Sequence, residues 1–225
     1  MSNTNLDVLY EDNHLIVVNK RPGDIVQGDK TGDTPLSDFV KLYIKEKYNK
    51  PGDVFLGTVH RLDRPTSGIV LFARTSKALT RMNKLFKDKD IHKTYWAVTE
   101  NAPKQERGKL INWLQKNEKQ NKSYVVKDGQ GKQAELDFKV LGHSDRYHLI
   151  EVLLHTGRHH QIRCQLAHIG CIIKGDLKYG AKRSNKDASI HLHARELSFI
   201  HPVKKEEVKI VATPPSDPVW DFFTK

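Results

Sequence analysis

His60-Arg61-Leu62-Asp63-Arg64-Pro65-Thr66-Ser67-Gly68 runs directly into Ile69-Val70-Leu71-Phe72-Ala73, a stretch with no polar residue. The apolar stretch reads as a buried strand, and the charged segment before it as the loop that leads into that strand. One carboxylate, Asp63, stands between two arginines. A nearby opposite charge lowers an aspartate pKa by roughly 1–3 units, so the sequence favours an ionised Asp63. It is a candidate nucleophile or charge stabiliser, and Arg61 and Arg64 are candidate contacts for a polyanion. The same residues also fit a surface ion-pair cluster, which contributes little stability.

Outward from this segment the pattern alternates between strands and a few helices. Residues 6–20 read as a short strand pair around the apolar run Leu15-Ile16-Val17-Val18, followed by a polar turn at 23–32. A helix is expected from Thr34, with Pro35 at its first position and Leu36, Phe39, Val40, Tyr43 and Ile44 on one face. A second helix, capped by Ser76, carries the stripe Ala78, Leu79, Met82, Leu85 and Phe86, with Lys77, Arg81, Lys84, Lys87 and Lys89 around it. Strands are expected at 94–98, 134–141, 147–155, 191–200 and 207–212. Residues 104–128 read as polar and irregular, with 124–126 as one arm of a hairpin. Residues 158–169 have helical spacing, capped by Thr156 or Gly157, and a short helix closes the chain at 218–223. Strands outnumber helices and often follow one another directly. The expected class is α+β, a mixed, largely antiparallel central sheet with flanking helices, in one domain over residues 1–225.

The chain of 225 residues has 38 Lys+Arg against 27 Asp+Glu, a formal charge of +11. Long-range attraction of this sign concentrates phosphate polymers, which makes nucleic acid the leading partner. Residues 1–10 show neither a basic leader nor an apolar core, and no run of 18 apolar residues exists. Cys164 and Cys171 are too few for a disulfide framework and read as reduced structural thiols. A cytoplasmic protein, with no membrane association, is the expectation.

A second donor cluster is Gly157-Arg158-His159-His160-Gln161-Ile162-Arg163, whose side chains suit phosphate, carboxylate or base edges. A metal site is not expected: Cys164, His168 and Cys171 lack a fourth ligand, and adjacent histidines on a helix diverge. Residues 175–180 contain glycines without a phosphate-loop pattern. Tyr95 shares one face of a strand with Lys93 and Ala97, a position that more often serves packing.

Three of these segments, in this order, resemble the RluA-type family of RNA pseudouridine synthases: residues 60–68, Lys93-Thr94-Tyr95-Trp96-Ala97, and 157–163. The similarity continues through residues 166–170, Gly175-Asp176, Tyr179-Gly180 and His193-Ala194, and runs from about Val8 to Pro214. The resemblance implies isomerisation of uridine to pseudouridine in structured RNA, tRNA or rRNA, without cofactor or metal. It assigns the catalytic aspartate to Asp63, the active-site tyrosine to Tyr95 and the carboxylate-pairing arginine to Arg163. Ile162 would contact the base, and Arg61 would enter the stack as the target base leaves it. His60, Arg64, Arg158, His160 and Gln161 are the further RNA-binding candidates.

The chain departs from the family at His159, where a small or hydroxylated residue is usual, near Gln165, where histidine is frequent, and at Ile173, often proline. It also begins almost directly with the catalytic pattern, so no separate N-terminal RNA-binding module is expected; a monomer is the expected state. Two rival readings remain: a catalytically inactive RNA-binding or RNA-folding protein on the same scaffold, and a glycosidase. The second needs another carboxyl group about 5–9.5 Å away, and no second acidic residue stands out near these motifs.

Overall fold

Strands β1 (Val8–Glu11) and β2 (Leu15–Lys20) open a sheet that β4 (Ser67–Ala73) continues, in the antiparallel register Leu15↔Ala73 to Lys20↔Gly68. These are the coordinates of a computed structural model, which describes residues 6–29 and 31–225. The expectation of no leader therefore rests in part on residues 1–5, outside the described residues. Leu15 and Val17 join one core cluster while Ile16 and Val18 join another, on opposite faces of the sheet. That is why both runs are apolar without alternation.

Helix α1 (Leu36–Lys47) covers one face through Leu36, Val40 and Ile44, and α2 (Ser76–Asp88) the other through Ala78 and Met82. Their starts differ from the sequence expectation. Pro35 is the extended cap residue rather than the first helical one. The amides of Leu36 and Ser37 donate instead to the carbonyls of Ile25 and Val26, so no side-chain cap is needed. In α2 the cap is Thr75, whose hydroxyl accepts from the Ala78 amide at 3.1 Å, and Ser76 is already helical.

Beyond β3 (Gly57–Thr58) come β5 (Ile91–Thr99), β6 (Arg107–Asn117), β7 (Lys122–Val126), β8 (Lys132–His143), β9 (His148–Leu154), β10 (Leu192–Ile200) and β11 (Glu207–Val211). Among the described residues the sheet runs β1-β2-β4-β10-β5-β9-β8-β6-β7, with β3 on β4 and β11 on β10. Only the pairing of β4 with β10 is parallel. The α+β class with a mixed, largely antiparallel sheet holds. Residues 104–128 are not irregular but form the β6–β7 hairpin, with β6 paired along eight residues of β8. Only Leu114 of β6 is buried, so its own pattern is weak and the partner strand imposes the structure.

Gly68 marks the parallel junction. Its φ is +112°, and a Cβ there would lie 2.4 Å from the Ala194 carbonyl oxygen of β10. The glycine ending the opening segment is thus required by strand-to-strand approach. Helix α3 (Gln161–His168) lies beside β7 and β6 and sends Ile162 and Leu166 into the main core, and α4 (Pro218–Thr224) inserts Trp220 beside Val98 and Leu149. The cap proposed at Thr156 or Gly157 is instead His160, in the left-handed region at φ 53° and without a side-chain cap bond.

Candidate active site

A cleft of about 810 Å³ opens where β4, β10, β5 and β9 adjoin, between the 60–66 loop and the start of α3. The 60–66 loop is tied down from three sides by its backbone. The Arg64 carbonyl accepts from the Gly23 amide at 2.9 Å and from Lys20 Nζ at 3.1 Å, and the Pro65 carbonyl accepts from the Ile190 amide at 3.1 Å. Lys20 is 1% exposed. Burial pushes its ammonium down to about 8, against the raising influence of Asp24 and then Asp63.

This loop presents Asp63 to the cleft, with its side chain 30% exposed. Oδ2 accepts from Arg163 Nη1 at 3.0 Å, and His160 Nε2 stands 3.6 Å from the same oxygen. Among the described residues no hydrogen bond reaches the other oxygen. Arg163 reaches Asp63 from α3 across the seam. Its remaining nitrogens are engaged by Asp176, Nε to Oδ2 at 2.7 Å and Nη2 to Oδ1 at 2.8 Å, and its guanidinium lies over the Tyr179 ring at 5.1 Å. Burial disfavours the charged guanidinium, but the Asp176 bonds, with Asp63, outweigh it and raise the pKa.

Asp176 is the principal site residue that the sequence reading missed, and it revises the statement that no second acid stands near. It is 1% exposed, does not line the cleft, and has both oxygens on Arg163. It braces the guanidinium and is not available as a second glycosidase carboxyl. The available signal was its place after Gly175. That glycine has φ +86°, and a Cβ there would meet the Ser189 carbonyl at 2.8 Å.

Tyr95, on β5 between Val152 of β9 and Ala194 of β10, closes the cleft floor at 8% exposure. Burial, and then the charge of Asp63, raise its phenol pKa, so the hydroxyl keeps its proton. Ile162 lines the cleft beside it at 5% exposure. The structure therefore brings Asp63, Tyr95 and the adjacent pair Ile162 and Arg163 together from three separate chain segments.

The other candidates divide. Arg61 is exposed at the cleft and makes no hydrogen bond or ion pair among the described residues. Arg64 is ion-paired with Asp33, and Arg158 donates from Nε to the Gln133 carbonyl at 2.8 Å. His60 accepts the Leu71 amide on Nε2 at 3.1 Å and stacks on Phe86, and burial pushes its pKa down to about 4. It is a neutral ring fastening the loop to β4. Gln161 is similarly absorbed. Its Oε1 accepts from Thr156 Oγ1 at 2.7 Å and the Arg158 amide at 3.0 Å, and Nε2 donates to the Glu135 carbonyl at 3.0 Å.

His160 and His159 stack with centroids 3.8 Å apart. His160 Nδ1 meets Tyr179 Oη at 3.1 Å, and burial pushes the ring down to about 3 against the opposing charge of Asp63. His159, unusual for the family, contacts Ser123 Oγ at 2.9 Å and Asn121 Oδ1 at 3.1 Å, both on the β6–β7 hairpin. It thus fastens the hairpin to the cleft wall. Among the described residues, no group of three or more His, Cys, Asp or Glu is arranged to hold a metal.

A family profile described as RNA pseudouridylate synthase matches residues 14–168, more than half of the chain. The chain belongs to the RNA pseudouridine synthase family. It is therefore an isomerase of the RluA type, as the resemblance implied. The ribosomal large subunit pseudouridine synthase D of Zymomonas mobilis is 31% identical over 222 residues, covering 94% of this synthase and 70% of the relative. The tRNA pseudouridine synthase C of Haemophilus influenzae is 31% identical, with 92% of each chain covered. Among solved structures, human RNA pseudouridylate synthase domain containing 4 shares the fold at a TM-score of 0.79 and 24% identity, over 96% of this synthase and 92% of that chain.

Proposed function

We propose that this synthase isomerises one or more uridines of structured rRNA or tRNA, with Asp63 as the essential carboxylate. The observation that carries the reading is the asymmetric setting of Asp63. One oxygen is held by Arg163, and the other carries no hydrogen bond among the described residues, inside a cleft of a chain charged +11. The relatives named for ribosomal and transfer RNA supply the substrate class.

In the reaction the bond from uracil N1 to the anomeric carbon breaks, the base turns, and C5 bonds to the same carbon. C5 loses a proton and N1 gains one, so nothing is oxidised or reduced and no redox partner enters. Asp63 begins this either by attacking the anomeric carbon or by taking a sugar proton so that a glycal forms. Arg163, braced by Asp176, aims the carboxylate in both routes. Tyr95 stacks on the uracil, and once the charge of Asp63 has been consumed its phenol gives its proton to N1 and, as phenolate, takes the proton from C5.

A stacked uridine does not reach this cleft, so the nucleotide flips out at a cost of a few kcal/mol. Arg61, exposed and with no ion pair among the described residues, fills the vacated place in the stack. The enzyme works as a monomer in the cytoplasm, where RNA is present and buried Cys164 and Cys171 stay reduced. Tritium release from [5-³H]uridine in bulk cellular RNA tests the activity, and pseudouridine maps of a deletion strain with and without the restored gene identify the nucleotide. RNA binding without tritium release from any RNA would replace this reading with that of a binding protein.

A further inference from the structure

A second groove, about 480 Å³, adjoins the catalytic cleft and shares Phe86, Lys93, Leu154, Gly157 and Arg158 with it. It runs between the C-terminal end of α2 and the surface of β5 and β9, past Lys87 and Lys89. Its lysines are not held in ion pairs. Among the described residues Lys87, Lys89 and Lys93 form no ion pair, while Lys84 takes Asp88, and Lys109 takes Glu135 and approaches Asp137. Asp137 is further engaged by His155 at 2.7 Å, while Glu135 feels the charge of Lys89 without contacting it and Asp90 forms no ion pair among the described residues. Lys93 is partly buried, with its ammonium over the Phe86 ring at 5.6 Å. Burial and then the proximity of Lys89 lower its pKa, as expected where like charges gather without an anion.

Lys89 carries a second sign. It ends α2 in the left-handed conformation, at φ 65°, with its amide donating to the Leu85 carbonyl. Glycine is the unstrained residue at such a position. A lysine there keeps a cation at the groove at the expense of backbone preference. The groove offers charge above all: the Phe86 ring is covered by His60 and Lys93, and the exposed ring that lines it is the imidazole of His92. A row of lysines suits phosphates, contacts that position a strand and carry no sequence information.

We propose that this groove carries the sugar-phosphate backbone of the RNA strand next to the flipped uridine, with Lys93 at the junction and Lys87 and Lys89 holding phosphates further out. The inference rests on the activity proposed above and adds a path for the strand. The groove then supplies affinity equally for every RNA, and target choice lies elsewhere.

Salt titrations of RNA binding test it with the full-length protein, using a single-stranded RNA and a structured RNA. Each single-strand phosphate contact contributes about 0.7 to the slope of log affinity against log salt. Lys87→Ala and Lys89→Gly should each flatten the slope by roughly that amount and raise KM, with kcat unchanged and with equal losses on both RNAs. Lys89→Gly should do so while keeping or raising Tm, which separates lost phosphate contact from lost folding. Lys50→Ala, on the loop after α1, serves as the charge-matched control and should leave the slope unchanged. Unaltered slopes in both groove variants of an enzyme that forms pseudouridine would overturn the groove and leave the activity standing. A wild type that forms no pseudouridine, yet whose slope still falls in the variants, would sink the activity and keep the groove as an RNA site.

Discussion

Arg163 separates two regions that treat a carboxylate in opposite ways. On its inner side, Asp176 is sealed at 1% exposure and gives both oxygens to the guanidinium. On its outer side, Asp63 is 30% exposed and gives one. The inner carboxylate has both oxygens committed to one fork-shaped partner, a geometry that fixes orientation as well as charge. The outer one is aimed by a single bond and keeps an oxygen for chemistry. Placing the reactive group on a loop and its brace in the core separates reactivity from stability.

Substitutions can break that separation, and the largest effect should come from Arg163→Met. It strands Asp176 as a buried unpaired charge, which costs about 3–5 kcal/mol, and it releases Asp63. Urea unfolding should show the loss in stability, and activity should fall by about a thousandfold or more, roughly 4 kcal/mol of barrier. A stable, active variant would mean that the arginine does neither task.

Asp176→Asn should be milder and lopsided. It keeps volume and one acceptor but weakens two bonds to a charged group, for a loss of about 1.5–3 kcal/mol in stability. Activity should drop only about tenfold, 1.4 kcal/mol of barrier, because Asp63 is still present but less well aimed. An activity loss far exceeding the stability loss would give the inner carboxylate a chemical role and erase the contrast.

Acid should weaken both sides through histidines held neutral. Burial pushes His160 down to about 3, and His191 and His193 down to about 4. Their unfolded values lie near 6.5. A depressed folded pKa means that the unfolded chain binds more protons, so the stabilisation is present above about pH 6.5 and is lost as pH falls toward 4. The expected slope in that window is about 1.4 kcal/mol per pH unit for each histidine. Denaturant unfolding at pH 7 and pH 5 measures it, and equal stability at the two pH values would contradict the buried neutral rings.

The smallest expected effect is that of His159→Thr, which frees the hairpin from the outer wall. About 1 kcal/mol of stability should go with its hydrogen bonds, and KM should rise while kcat holds. A fall in kcat alone would move His159 into the chemistry.

The same contrast decided what the sequence made legible. Strands β2 and β4 are buried on both faces, so their apolar runs were plain, and the stripe of α2 was equally clear. The long strand β6 was not, because most of its side chains face solvent and its order comes from β8, about 25 residues further along the chain. Asp63 drew attention by its flanking arginines, and its link to Tyr95 and Arg163 came from the family pattern alone. Lys20 and Asp176 stayed hidden as internal supports, and Gln161 was read as an RNA contact, for one physical reason. A polar residue that satisfies its bonds inside the fold looks, along the chain, like any solvated one.

The most direct measurement is tritium release from [5-³H]uridine RNA by Asp63→Asn, read beside its RNA affinity and unfolding. The amide still accepts from Arg163, so folding and binding should stay near wild type. Tritium release should fall to background. A variant that folds, binds and still releases tritium at a comparable rate would contradict the assignment of Asp63 as the reacting carboxylate.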